Sequence, residues 1–216
     1  MAAAARRGGG DVPLLSDSER QRIEAAIRAA EAGTVGELVT VIAGASDDYL
    51  LYPVAYAGAA ALGLPLPLWL AGVVTDFPTL YVVQLATLAV LVPLFCWRPV
   101  TMRLVPDRRK RACAARLARE QFYACGLHET PERGGVLLFV SEAEHYVEIL
   151  ADRGIDEKVP SDVWDSIVAD FTARVRAGHV AEGFLSAIAA CGALLAQHLP
   201  VSGENPNRLP DVMIEI

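Results

Sequence analysis

The sequence predicts an α/β fold, helices packed on a small central sheet, into which a two-helix transmembrane hairpin is inserted. Three observations lead there. Charge is segregated: residues 49–97 hold one charged side chain, Asp76, although Asp, Glu, Lys and Arg make up 21% of the 216 residues. Outside that run the chain alternates between helical hydrophobic periodicity and short β-branched runs, in the order helix, strand, apolar hairpin, helix, strand, strand, helix, helix. Finally, the basic residues cluster directly after the apolar run, so that residues 98–119 carry a net charge of +7 and residues 120–216 carry −10.

Taken in order, residues 1–13 read as a disordered N-terminus. Arg6 and Arg7 are followed by no apolar core, so no signal peptide is expected and the first 48 residues are expected to stay in the cytoplasm. Residues 14–48 begin the soluble domain. Ser16-Asp17-Ser18-Glu19 is a capping-box pattern, in which serine and glutamate satisfy the free amides of a helix start. Ile23, Ile27 and Ala30 then recur on one helical face, and Gly33 is a natural stop. Val35 to Ala43 is rich in β-branched residues and reads as a strand.

Residues 49–97 form the hairpin. They contain uncharged runs of 27 and 21 residues on either side of Asp76, and a helix needs about 20 residues to cross a bilayer core. Pro65 and Pro67 interrupt the first run, predicting either a kinked crossing or a helix ending at Leu64 with an interfacial stretch after it. The Asp76-Phe77-Pro78 connector carries no Lys or Arg, so it should face outward and the basic flank inward. Arg98, Arg103, Arg108, Arg109, Lys110 and Arg111 are the expected membrane-surface residues. Placed there, they argue for topology and lipid contact, with the bilayer as a partner, and against nucleic acid. Trp69, Tyr81 and Trp97 are candidate interface anchors.

Residues 98–197 complete the domain. Pro106 to Ala124 reads as a helix with a narrow Ala114, Ala118, Phe122 stripe. Val136 to Val140 and Tyr146 to Ala151 should pair as a hairpin across the turn Ser141 to His145. A helix from Pro160-Ser161 presents Trp164, Ile167, Val168, Phe171 and Val175, and a last one carries Phe184, Leu185, Ile188 and Leu195. Residues 198–216, rich in Pro and Asn, read as a tail of low order.

Chemistry is harder to find. Cys96, Cys113, Cys125 and Cys191 form no C-x-x-C pair and no zinc-ligand spacing, so each reads as a small hydrophobe in a reducing compartment. There is no P-loop, G-x-S-x-G, H-E-x-x-H or kinase set. Of the scattered histidines, His145 beside Glu144 is the best placed for acid/base work. Glu37 and Glu148 read as solvent-facing strand positions, and Arg153 as a turn residue. Open α/β sheets bind ligands at strand carboxyl ends, where this chain carries Asp47, Asp48, Glu142, Glu144 and Asp152. Carboxylates from separate loops suit a hard cation such as calcium or magnesium.

Leu15-Ser16-Asp17, Gly36 to Val41, Gly135 to Ser141, Tyr146 to Ile149 and Gly154-Ile155, in that order, resemble the TPM domain family. The resemblance implies an α/β sandwich, calcium binding and the acid-phosphatase activity attributed to plant members. It also places an aspartate at Asp162, adding it to Asp47, Asp48 and Asp152 as candidate ligands; in the first turn of a helix, however, Asp is favoured by the dipole alone. Family roles in maintaining membrane complexes imply a membrane-protein partner. The expected protein is thus a two-pass bacterial plasma-membrane protein with cytoplasmic termini, serving as an interaction or assembly module. A metal-dependent phosphatase is the alternative.

Overall fold

A computed structural model describes residues 15–130, 132–201, 209 and 212–216. The expected disordered N-terminus and much of the expected tail lie outside the described residues. The chain divides into two compact units, one of residues 1–45 with 114–216, the other of residues 46–113.

The first unit is built on a four-stranded sheet in the order β3-β2-β1-β4, with β1 Glu37–Ala43, β2 Gly135–Ser141, β3 Tyr146–Ala151 and β4 Met213–Glu215. β1 runs parallel to β2 from Glu37↔Gly135 to Ala43↔Ser141 and parallel to β4, while β2 and β3 form the expected antiparallel hairpin. Neighbouring side chains of a strand point to opposite faces, and both faces of this sheet are covered. Leu38, Ile42, Val136 and Leu138 pack with Ile23 and Ile27 of α1 (Asp17–Glu31), Trp164, Ile167 and Phe171 of α8 (Ser161–Arg176) and Phe184, Ile188 and Leu195 of α9 (Val180–His198). Val39, Val41, Leu137 and Phe139 pack on the other side against Ala114, Ala118 and Phe122 of α6 (Asp107–Ala124), the stripe that the sequence marks.

Double coverage explains why β1 and β2 are buried at every position and read as continuous apolar runs. It also corrects the reading of Glu37, which is buried, not solvent-facing. The capping box of α1 is complete: Ser16 N–H donates to Glu19 Oε2 at 2.9 Å and Glu19 N–H to Ser16 Oγ at 3.3 Å. At the other end of α1 the buried Glu31 accepts from Leu38 N–H at 2.7 Å, on the edge of β1 that β4 is too short to cover. Gly192 lets α9 approach α1, since a Cβ there would fall 2.5 Å from that of Ala30. Phe171 and Phe184 lock α8 to α9 edge to face, centroids 4.9 Å apart.

β4 is the principal departure from expectation. Met213–Glu215 joins the sheet where a loose tail was expected, its backbone extended by Gly44 N–H to Ile216 O at 2.9 Å and Ile216 N–H to Ile42 O at 3.0 Å. Arg20 of α1 pairs with Glu215. Two short helices were also unforeseen, α5 (Arg98–Leu104) and α7 (Arg153–Asp156).

The second unit contains α2 (Leu51–Gly63), α3 (Pro65–Leu70), α4 (Phe77–Phe95), α5 and the first residues of α6. α2 packs on α4, burying Pro53, Ala57 and Ala61 at four-residue spacing. The prolines do not end the first run: Leu64 keeps helical angles (φ −63°, ψ −38°) and Pro65 sits in the first turn of α3, where its missing N–H costs nothing. By length and composition, three helical stretches among the described residues are apolar enough to cross a membrane: Leu51–Leu70, Phe77–Phe95 and Val180–His198. The third spends its apolar face in the core of its own unit; α4 buries none of its residues.

Candidate functional site

The candidate carboxylates divide according to the strand that carries each. β1 and β2 are parallel, so Ala43 and Ser141 end side by side, and Glu142 N–H continues the ladder to Ala43 O at 2.9 Å. Glu144 turns back to accept from Ser141 Oγ, and His145 completes the turn at φ +50°. β3 runs the other way. Its carboxyl end therefore lies beside the amino end of β2, with Asp152 N–H donating to Gly135 O at 2.8 Å. Asp152 thus sits at the opposite end of the sheet from Glu142, about 20 Å away along a six-residue strand. It is not part of the strand-end cluster that the sequence suggested.

Asp152 has other work. Its side chain is buried, its Oδ1 accepts from Arg153 N–H at 2.8 Å to cap α7 and from Arg133 Nη2 at 3.0 Å, and its Oδ2 lies 2.8 Å from Arg133 Nε as an ion pair. Arg133 holds φ +53°, and a Cβ at Gly154 would overlap the carbonyl oxygen of Glu132. This is a two-pronged clamp between loops 19 residues apart in sequence, with no local signal by which pattern reading could find it. Asp162 is exposed in the first turn of α8, as the dipole explanation expects.

Asp47 and Asp48 belong to the second unit. Asp47 accepts from Cys113 Sγ at 3.3 Å and lies 3.7 Å from Arg109 Nη2, fastening the segment before α2 to the start of α6. Beside it Tyr49, at φ +51°, is buried with Val105 and Cys113. A bulky residue rarely holds positive φ; here the buried ring fixes it. Asp48 is exposed, its N–H donating to Asp47 Oδ1 at 2.8 Å. Among the described residues no group of three or more His, Cys, Asp or Glu is placed to hold a metal ion.

The basic residues form a different kind of site. α4 ends at Phe95, Trp97 caps α5, and the chain turns at Val105-Pro106 into α6. Thr101 Oγ1 donates to Phe95 O at 2.7 Å, and Lys110 Nζ reaches both Met102 O at 3.1 Å and Asp107 Oδ1 at 2.7 Å. Lys110 also holds the Asp107 carboxyl below its usual range. The elbow is therefore fixed from inside, with Arg98, Arg103, Arg108, Arg109 and Arg111 exposed around it.

Comparison with known proteins bears on the fold. The family model described as the TPM domain matches residues 100–194. That span contains the post-hairpin motifs on which the resemblance rests; Leu15 to Val41 lies ahead of it. The NMR structure of BA42 protein from the psychrophilic bacterium Bizionia argentinensis is similar, with a TM-score of 0.58 at 18% identity over 93% of this chain and 94% of that one. No curated protein matches. Residues 100–194 thus match the TPM domain, within an α/β fold similar to that of BA42.

Proposed function

We propose that this chain is a membrane-anchored TPM-domain protein, crossing a bacterial plasma membrane twice with both termini in the cytoplasm, and that it serves as an interaction or assembly module for a membrane-protein partner. The observation that carries the reading is the pairing of β1 with β2 along seven residues, although two apolar helices separate them in sequence. Strands of one sheet share one side of a bilayer, so the chain between them crosses an even number of times. β4 follows α9 and also pairs with β1, so α9 adds no crossing, in keeping with its buried face. The basic flank supports the cytoplasmic side.

The proposal is tested by alkaline carbonate extraction, followed by labelling of single cysteines in a cysteine-free background with an impermeant maleimide. Thr75→Cys should react in intact spheroplasts, and Ser166→Cys only after lysis. Extraction of the protein into carbonate, or reaction of both sites from outside, would rule the topology out. For the partner, a photo-reactive residue at Val82, exposed on α4, should give a defined protein adduct; adducts to lipid alone would end the assembly reading. The phosphatase alternative gains no specific support, since the candidate carboxylates are engaged in clamps or stand apart.

A further inference from the structure

The elbow between α4 and α6 holds cations that the fold does not use. Residues 98–111 contain six basic residues and a single acid, Asp107, which Lys110 already neutralises. Arg109 faces Asp47. Arg103, Arg108 and Arg111 are exposed and make no ion pair within 4 Å with any described residue, Arg111 acting on Asp107 only from farther off, and Arg108 and Arg111 share one face of α6 at three-residue spacing. Cations needed only to keep a helix soluble are ordinarily interspersed with acids along its surface. This set is not, and it follows within a few residues of Trp97, 64% exposed, and the unburied α4. A planar guanidinium matches a phosphate through paired N–H donors, which favours Arg over Lys for this task.

We propose that Arg103, Arg108 and Arg111 form a binding surface for the phosphate groups of anionic phospholipids, so that the elbow selects lipid composition and does more than orient the hairpin. The inference rests on the membrane reading above and deepens it. The apolar helix and the indole would seat among the acyl chains and their boundary, and the three arginines would engage headgroup phosphates at the depth where α5 leaves the core. Lys110 and Thr101 keep the elbow from straightening, which holds the arginines at that level. Each basic residue near an anionic surface is worth about fivefold in affinity, so three acting together give a preference of about a hundredfold or somewhat less.

The test uses the full chain in detergent, titrated with phosphatidylglycerol or phosphatidylcholine of the same acyl composition and read as retained lipid by native mass spectrometry. Wild type should retain phosphatidylglycerol at least tenfold better, between one and two of the fivefold steps. Arg103→Gln/Arg108→Gln/Arg111→Gln should lose the preference, whereas the matching Lys variant should keep part of it. Equal retention of both lipids by wild type, or a glutamine variant that still prefers phosphatidylglycerol, would overturn the proposal. Should the glutamine variant not fold, wild type alone decides: 1 M salt, at which the screening length falls to about 3 Å, must abolish the preference, and persistence overturns the proposal. Inorganic phosphate at millimolar concentration should not compete; if it displaces the lipid, the arginines take free phosphate and the lipid assignment fails. Carbonate extraction reports separately on whether the chain is integral, so failure of lipid selection is distinguishable from failure of the membrane reading.

Discussion

The chain contains two aspartates of similar sequence appearance and opposite structural worth. Asp152 is buried, caps α7 and receives both prongs of Arg133; Asp162 stands exposed in the first turn of α8. Asp152→Ala removes a cap and a charge-assisted pair, and its expected cost is about 2–3 kcal/mol, against about 0.5 kcal/mol or less for Asp162→Ala. Urea unfolding measures both. Added calcium should leave the wild-type thermal midpoint unchanged if Asp152 is a clamp, while a clear rise that Asp152→Ala abolishes would return it to the ligand list. The sequence held part of this answer: a hairpin between Val136 and Ala151 already implies that Asp152 and Glu142 lie at opposite ends of the sheet. What it could not hold is Arg133 as the partner, because that contact depends on how two loops meet. Cys191 is the contrary case, legible from its spacing and its place on a predicted helix. Burial pushes the Cys191 thiol up to about 12, leaving about one molecule in ten thousand as thiolate at pH 8. Native protein treated with a maleimide and digested should therefore carry no label at Cys191, and full label after denaturation; labelling in the folded state would mean that α9 opens.

Elements differ in how strongly their own residues specify them. α1 states its start through Ser16 and Glu19, and the structure uses both. The two hydrogen bonds from Ser16 hold the Glu19 carboxyl below its ordinary value. A depressed carboxylate stabilises the fold above its unfolded-state pKa and loses that contribution as pH falls through the lower, folded value. Amide exchange in the first turn of α1 should therefore begin to quicken as pH falls below the ordinary glutamate value and finish quickening below the lower, folded one, and Glu19→Gln should remove this acid step. β4 is specified by almost nothing local. Three residues at the end of a Pro- and Asn-rich stretch carry too little pattern to announce a strand, and they become one only because the edge of β1 offers Ile42 and Gly44 as partners and α1 offers Arg20. Glu215 raises the Arg20 guanidinium in return. Glu215→Ala should release the strand: exchange at Gly44 and Ile216 should quicken about tenfold or more, for a loss of about 1–2 kcal/mol locally, while β2 and β3 keep their protection. Unchanged exchange at those two amides would mean that the ladder alone holds β4. Glu37 belongs to the same lesson, since a strand covered on both faces offers no solvent side, whatever the alternation suggests.

At the scale of the whole molecule, one chain contains two solvents' worth of sequence. The two hydrophobic clusters of the first unit draw only on residues before Gly44 and after Cys113, and neither includes a residue of α2, α3 or α4. The apolar helices of the second unit, by contrast, leave Leu62, Leu70, Phe77 and Val82 exposed. Large contiguous apolar surface of that kind needs lipid or a partner, and the segregation of charge around Asp76 makes it legible in the sequence itself. Removing it should therefore cost the sheet little. A chain in which residues 50–104 are replaced by a flexible Gly/Ser linker keeps every residue of both clusters, and it retains α6, whose Ala114, Ala118 and Phe122 close one face of the sheet. It should be soluble without detergent and unfold in a single cooperative transition. Circular dichroism and light scattering report on both. The parallel pairing of β1 and β2 makes the test demanding, because closing a linker of tens of residues costs only about 0.6 kcal/mol more for each doubling of length. Failure to fold could not then be laid on the linker, and would mean that the sheet needs the apolar segment to bring β1 to β2.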